Sequence, residues 1–364
     1  MKKVLLSLMV IAAMAVSCQS DVLNIFGFEN EASVVLKVKS PQITATRAGA
    51  GLDSSVGAID NFDNNSELWS KYDLRYILEI YEVVEKDGQT TISAEAIYKR
   101  QVNTTPSYQD GVEFDVRLVP NRTYKFVVWA DFVNEGMKSD LFYDTADMHS
   151  ITRKASVQHR AMDEALDAYH ISYTQTIKND ADLTLKLTRP FAKLRVVAID
   201  HHEIVSYSTL KSVKVQFDTE MNPIYKSFNA VTNAVSENCT AHNYECNIDP
   251  APYVEYNGTM DDGQNVKGFV LFSDYILAPR DGEAPVSFTM DIYDQKDKVR
   301  TIEFETQIPT CRNHLTTVVG NFLTQNYSAI ISIDDTLLSD EEFNVNAEDA
   351  TEEYVRYTYI YNGD

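Results

Sequence analysis

The chain has 364 residues, a formal net charge of −22, 44% hydrophobic residues and four cysteines. That length provides for about two domains of ordinary size, each with its own core. The excess of acid excludes nucleic acid and anionic headgroups as partners, because both need Lys and Arg to neutralise phosphates.

The N-terminus reads as an address. Lys2 and Lys3 precede the apolar run from Val4 to Val16, and Ala15-Val16-Ser17 leads into Cys18. A basic n-region, a short h-region and small residues before a cut predict a signal peptide over 1–18. The apolar run is too short to span a bilayer comfortably. A Cys directly after small residues resembles the bacterial lipobox, whose Cys is lipidated and becomes the new N-terminus; a plain signal peptide with a chance Cys is the alternative. Gln19 stands where an Asp would retain the protein at the inner membrane. The expected location is therefore the outer membrane, with the membrane lipid held through Cys18.

Residues 19–50 carry one strand-like segment and a linker. In "SVVLKVK" (33–39), Val34, Leu36 and Val38 alternate with Lys37 and Lys39, which predicts a half-buried strand. "TATRAGAG" (44–51) follows, with Arg47 and Ala48 set among small residues. Such a stretch serves either as a loose linker or as a place for a protease to cut after Arg47.

Residues 51–190 form the first expected domain. "DNFDNNSEL" (60–68) crowds oxygen atoms but lacks the Gly and spacing of a calcium loop. Period-two runs follow at 74–84, 112–119, 124–132 and 183–188, divided by Asn, Asp, Gly and Pro. Short strands between such turn signals predict antiparallel sandwiches. Leu74, Tyr76, Leu78, Ile80 and Glu82 share one face of the first run, and Trp129 reads as a core anchor before a sugar platform. "QHRAMDEALDAYH" (158–170) breaks the pattern, since Met162, Ala165, Leu166 and Tyr169 have helical spacing. One short helix is expected there.

A boundary near Arg189-Pro190 opens the second expected domain, 191–335, with strand-like runs at 192–199, 212–217, 286–293 and 300–308. Cys239 and Cys246 lie close together in a polar stretch and form a candidate disulfide in an oxidising compartment, or else remain thiols beside Cys311. The tail 336–364 joins an acidic spacer to "YVRYTYIY" (354–361). That last segment suits an edge strand on its own domain, a disordered end, or a strand donated to another chain.

No catalytic constellation emerges. Nucleophile elbow, phosphate loop and His-Glu-x-x-His helix are all missing. His201 and His202 would point to opposite faces of a strand, a poor arrangement for one metal. His314 lies near Cys311 without an orienting third group. No enzyme activity, cofactor or metal is expected.

Three blocks, "VPNRTYKFVVWADF" (119–132), "LTRPFAKLRVVAID" (187–200) and "IPTCRNHLTTVVGNFLT" (308–324), together resemble fimbrillin-like lipoproteins of Bacteroidales. The branch is one of unknown function, allied to the minor and major subunits of type V pili. The resemblance implies an all-β fold of two tandem transthyretin-like antiparallel β-sandwiches and a structural or adhesive role at the cell surface. It further implies a protease cut between Arg47 and Ala48 that releases Val34, Leu36 and Val38. Another fimbrial subunit would then fill the groove by strand exchange. The competing expectation is a glycan-binding surface lipoprotein that never polymerises and meets a host or microbial ligand through Trp69 or a tyrosine cluster.

Overall fold

The computed structural model describes residues 31–39, 71–104, 111–157, 160–200, 210–238, 243–247, 255–259, 265–282, 284–294, 297–323, 328–334 and 359–362. The chain starts with β1 (Ala32–Lys39), β2 (Tyr72–Lys86), β3 (Gln89–Ile92), β4 (Tyr98–Thr104) and β5 (Val112–Leu118). It continues with β6 (Arg122–Asn134), β7 (Tyr143–Asp144), β8 (Ile151–Arg153), β9 (Ala168–Ile177) and β10 (Ala181–Lys186). Two sheets carry this half. One has the order β10-β1-β5; in the other, β3-β2-β6-β9, β4 also pairs with β2. Asp87 and Gly88 make the β2–β3 turn with φ of 54° and 76°, left-handed values that Gly and short polar residues tolerate.

The second half contains β11 (Phe191–Ala198), β12 (Leu210–Phe217), β13 (Tyr225–Asn229), β14 (Ala234–Asn238), β15 (Asn243–Asn247) and β16 (Glu255–Thr259). It ends with β17 (Asn265–Leu277), β18 (Val286–Asp294), β19 (Asp297–Ile308), β20 (Leu315–Gly320), β21 (Ser328–Asp334) and β22 (Tyr359–Asn362). Its sheets run β16-β17-β11-β20-β21-β22 and β15-β12-β18-β19. The topology of the first half recurs. β1 lies between an antiparallel partner, β5, and a parallel one, β10, just as β11 lies between antiparallel β17 and parallel β20. The two parallel pairs depart from the wholly antiparallel sheets that short, turn-bounded strands suggest. Each lets the first strand of a half pair with one that comes much later in that half.

Two apolar clusters fill the sandwiches. One gathers Val34, Leu36, Tyr76, Leu78, Phe114, Trp129 and Leu185 among others, and the second gathers Leu194, Val215, Phe272, Phe288, Met290 and Val318. The second cluster starts at Leu194, while the first takes Phe191, Phe228, Ala230, Val231 and Tyr275 from the second half of the chain. The β13–β14 hairpin lies within 191–335 in sequence but joins β8 and β7, in the order β14-β13-β8-β7, and delivers Phe228 to the first cluster.

The short helix expected over 158–170 does not form. Only a single 3-10 turn, Glu164–Leu166, appears in the described part of that stretch, and Ala168 already begins β9. Met162 has φ of 58°, which stops a right-handed helix. Asp163 caps the short turn by accepting from the Ala165 amide at 3.0 Å. Ladder pairing of Ala168 and Tyr169 with Asp131 and Ala130 of β6 then outweighs the helical spacing.

Candidate functional site

The site with a possible function of its own is the seat of β1. Alternation sends Val34, Leu36 and Val38 into the first core, where each is at most 1% exposed, and leaves Ser33 and Lys37 outside. β5 repeats the pattern in register: Phe114, Val116 and Leu118 point inward, while Glu113, Asp115 and Arg117 point out. Leu36 sits opposite Phe114, Val34 opposite Val116, and Ala32 opposite Leu118. On the other side Leu36 aligns with Leu183 and Val38 with Leu185 of β10. Lys37 faces Glu113 across the outer surface, a favourable cross-strand charge pair.

β1 is thus the middle strand of its sheet, hydrogen-bonded along both sides. Its N-terminal end is fixed by the Ser33 amide, which donates to Asp180 Oδ1 at 2.8 Å. The next strand, β2, begins at Tyr72. Removing β1 would leave two unpaired strand edges and an apolar trough, the arrangement that β-strand addition exploits.

Several sequence-derived residues lie outside the described residues: Cys18, Arg47, Ala48, Trp69, His201, His202, Cys239 and the 60–68 stretch. Cys246 belongs to β15, opposite Val213 of β12. His314 is buried, its Nδ1 2.7 Å from the Arg312 carbonyl oxygen. Trp129 is a core residue, with its ring 5.5 Å from Tyr143 and 6.1 Å from Phe228. Tyr359–Asn362, the described end of the terminal segment, forms β22 against β21, with Ile360 opposite Ile330, an edge strand on its own half.

Buried ion pairs are the feature that sequence reasoning missed. The face of β2 opposite Leu74 and Tyr76 carries Asp73, Arg75 and Glu79, and all three are buried. Arg75 makes a two-pronged contact with Asp131 at 2.7 and 2.8 Å and reaches Asp140 at 2.7 Å. Burial opposes the Arg75 charge, but these two carboxylates hold its pKa above the ordinary value. Burial also opposes the Asp140 charge; the Thr145 amide and hydroxyl together with Arg75 nevertheless hold its carboxyl below the usual range. Where the two halves meet, Arg189 donates to Asp167 at 2.8 and 2.9 Å, and Lys193 reaches Glu164 at 2.8 Å. A signal was present in the sequence: Arg75 and Asp131 both interrupt strongly apolar strands, where an unpaired charge would be costly.

A family model matches residues 27–356. The chain belongs to a family of unknown function, DUF6562. No curated protein matches this DUF6562 chain. Among solved structures it is similar to a candidate adhesin from Bacteroides thetaiotaomicron, at 12% identity and a TM-score of 0.45, over 84% of this chain and 97% of that one. A candidate polysaccharide-binding protein from the same organism gives 11% identity and a TM-score of 0.42, over 84% and 96% of the two chains. A fimbrial assembly protein from Parabacteroides distasonis gives 13% identity and a TM-score of 0.37, over 83% and 94%.

Proposed function

We propose that this DUF6562 chain is a lipid-anchored structural or adhesive protein of the cell surface, of the fimbrial kind, with β1 as its exchangeable strand. The observation that carries this reading is the position of β1. It is central in its sheet, fully buried on one face, and followed in the sequence by Arg47 among small residues before β2 begins at Tyr72. Cleavage after Arg47 would free β1 alone. The anchor would be Cys18 in the outer membrane; no helix among the described residues is long and apolar enough to cross a membrane. The glycan-binding alternative needs an exposed aromatic platform, and among the described residues the exposed large hydrophobics are Val84, Ile97, Val119, Met137 and Met221, none of them aromatic.

The test is size-exclusion chromatography of wild type and Arg47→Ala, each with and without limited trypsin, with the N-terminus of each product determined. Wild type cut after Arg47 should associate, and a peptide of residues 33–39 in excess should keep it monomeric. Arg47→Ala should stay monomeric throughout. A verified cut that leaves wild type monomeric and folded removes strand exchange from the reading. Cys18→Ser should leave the membrane fraction, and retention there removes the lipid anchor.

A further inference from the structure

A second feature stands apart from the β1 seat. The turn between β13 and β14 lies across β9 and meets its side chains one step at a time. His170 Nε2 is 2.8 Å from the Ala230 carbonyl oxygen, and Ser172 Oγ donates to the Val231 carbonyl at 3.1 Å. Two residues further along the same face is Thr174, which is exposed and pairs in register with half-buried Lys125 of β6. The turn thus covers the sheet as far as Ser172 and leaves Lys125 and Thr174 at its border. The β19–β20 loop brings Arg312 to the other side of the turn. Its Nε donates to the Arg189 carbonyl at 3.2 Å, its Nη1 lies 3.5 Å from the Asn233 carbonyl oxygen, and its guanidinium is 5.1 Å from the centroid of the Phe228 ring. Arg280 stands on the β17–β18 loop, which the Ala284 amide ties to the Thr310 carbonyl of the β19–β20 loop at 2.7 Å.

These cations are poorly matched. Lys125 is held below its ordinary pKa by burial and then by the Arg280 charge, with no carboxylate to favour it among the described residues. Arg312 is pushed down to about 10, first by burial and then by Arg280. Lys125 and Arg312 also both oppose a charge on His170, so the two act about one shared place. The one acid that favours Arg312 is Asp281, whose side chain is 94% exposed and lies 4.0 Å from Arg280. Other cations of low exposure have close partners: Arg75 has Asp131, Arg153 has Asp274, Arg189 has Asp167 and Lys193 has Glu164. In a chain of net charge −22, Lys125 and Arg312 are the exception.

We propose that Lys125 and Arg312 bind a tetrahedral oxyanion of the phosphate or sulfate type, either free or as an ester on a larger molecule, with the Thr174 hydroxyl beside it. An ammonium and a guanidinium on separate elements approach from different directions. A tetrahedral group offers acceptor oxygens to both, whereas a carboxylate has two oxygens in one plane. Partial burial reduces screening, and the Arg280 charge adds to the field without having to touch the ligand. The site leaves β1 untouched and stands independently of strand exchange.

NMR titration of the full chain with inorganic phosphate at constant ionic strength tests this, followed at the Thr174 and Arg312 amides. Both signals should shift saturably, and sodium chloride at equal ionic strength should not reproduce the shift. Lys125→Met should weaken binding about tenfold or more, because a hydrogen bond to a charged group is lost. Its thermal midpoint without ligand should equal or exceed that of wild type, since a cation without an acidic partner has gone. Lys125→Arg should restore most of the affinity, and Lys37→Met, exposed on the outer face of β1, should leave it unchanged. Glucose 6-phosphate distinguishes the sources: tighter binding than inorganic phosphate assigns the site to an esterified sugar, and weaker binding assigns it to the free ion. No saturable shift, an equal response to chloride, undiminished binding to Lys125→Met, or an equal loss in Lys37→Met each overturns the proposal.

Discussion

His170 allows a sharp prediction about pH. Its ring is 1% exposed in β9, with Nε2 2.8 Å from the Ala230 carbonyl oxygen and the Phe228 ring edge-on at 4.9 Å. Burial, followed by the nearby Arg312 charge, pushes its pKa from 6.5 down to about 3. The sign follows directly. Once the pH falls below 6.5 the unfolded chain takes up a proton at this position and the folded chain does not, so stability drops until the folded value is reached. Each pH unit in that window costs about 1.4 kcal/mol, and roughly 2 kcal/mol is lost by pH 5. The direct assay is NMR of the His170 ring proton, which should show no inflection between pH 8 and 5. Denaturant unfolding at pH 7.5 and 5.0 supplies the energy. His170→Gln, which keeps a donor toward Ala230, should lose about 2 kcal/mol less than wild type between the two pH values. A His170 inflection near 6.5, or equal losses in both proteins, would refute the reasoning.

Three further outcomes follow from particular contacts. Leu36→Ala should cost about 2–5 kcal/mol in denaturant unfolding, while Lys37→Ala one residue on should stay within about 0.5 kcal/mol. Gly268→Ala should lower the thermal midpoint, because a Cβ there would lie 2.6 Å from the Ala198 carbonyl oxygen and 2.7 Å from Val197 Cγ1, and the carbonyl cannot move aside. Asp140, held below its ordinary value of 3.8, stabilises the fold above that pH and ceases to do so as the pH falls through the folded value; Asp140→Asn should therefore be less stable at pH 7 and lose less on acidification to pH 3.

Much of the strand content was legible because alternation is a local property. The runs at 74–84, 124–132, 212–217, 286–293 and 300–308 fall within strands, and those at 112–119, 183–188 and 192–199 overrun theirs by one or two residues. The inward face of β1 was legible for the same reason, since Val34, Leu36 and Val38 alternate with Ser33, Lys37 and Lys39, Val35 being the one apolar residue on the outer side. What escaped is set by distant chain. β2 is buried on both faces, and on its polar side Arg75 is satisfied by Asp131 of the adjacent β6 and by Asp140 and Thr145 beyond it, partners that no local pattern announces. The 158–170 stretch misled in the opposite sense. Its apolar residues are spaced for a helix but are buried by a 3-10 turn and by the start of β9. Tertiary pairing overrides a weak local preference wherever a neighbouring strand has an open edge, and β6 offers one there.

The energetics of β1 decide what its removal can mean. Burying Val34, Leu36 and Val38 contributes about 1.5–3 kcal/mol each, on the order of 5–9 kcal/mol for the three. That sum rivals the whole folding stability of an ordinary domain, about 5–15 kcal/mol. A chain that has lost β1 therefore has two courses open to it: unfold its first sandwich or recruit another strand. The replacement must alternate, place apolar side chains at the Val34, Leu36 and Val38 positions, and pair with β5 on one side and β10 on the other. A second released β1 segment satisfies every one of these requirements. The terminal "YVRYTYIY" alternates too, but its Tyr357, Tyr359 and Tyr361 face would place rings where the seat holds Val and Leu, and overpacking of that kind is itself costly. Its other face, Tyr354, Arg356, Thr358 and Ile360, would bring the Arg356 charge into the seat, and Ile360 is the residue that β22 aligns with Ile330. A donated tail would thus have to leave β21 before it could enter the β1 seat of another molecule, exchanging a short edge pairing for a central one with partners on both sides. That exchange gains hydrogen bonds and apolar burial together, so its direction is set by whether an empty seat exists, and the cut after Arg47 is the step that would create one.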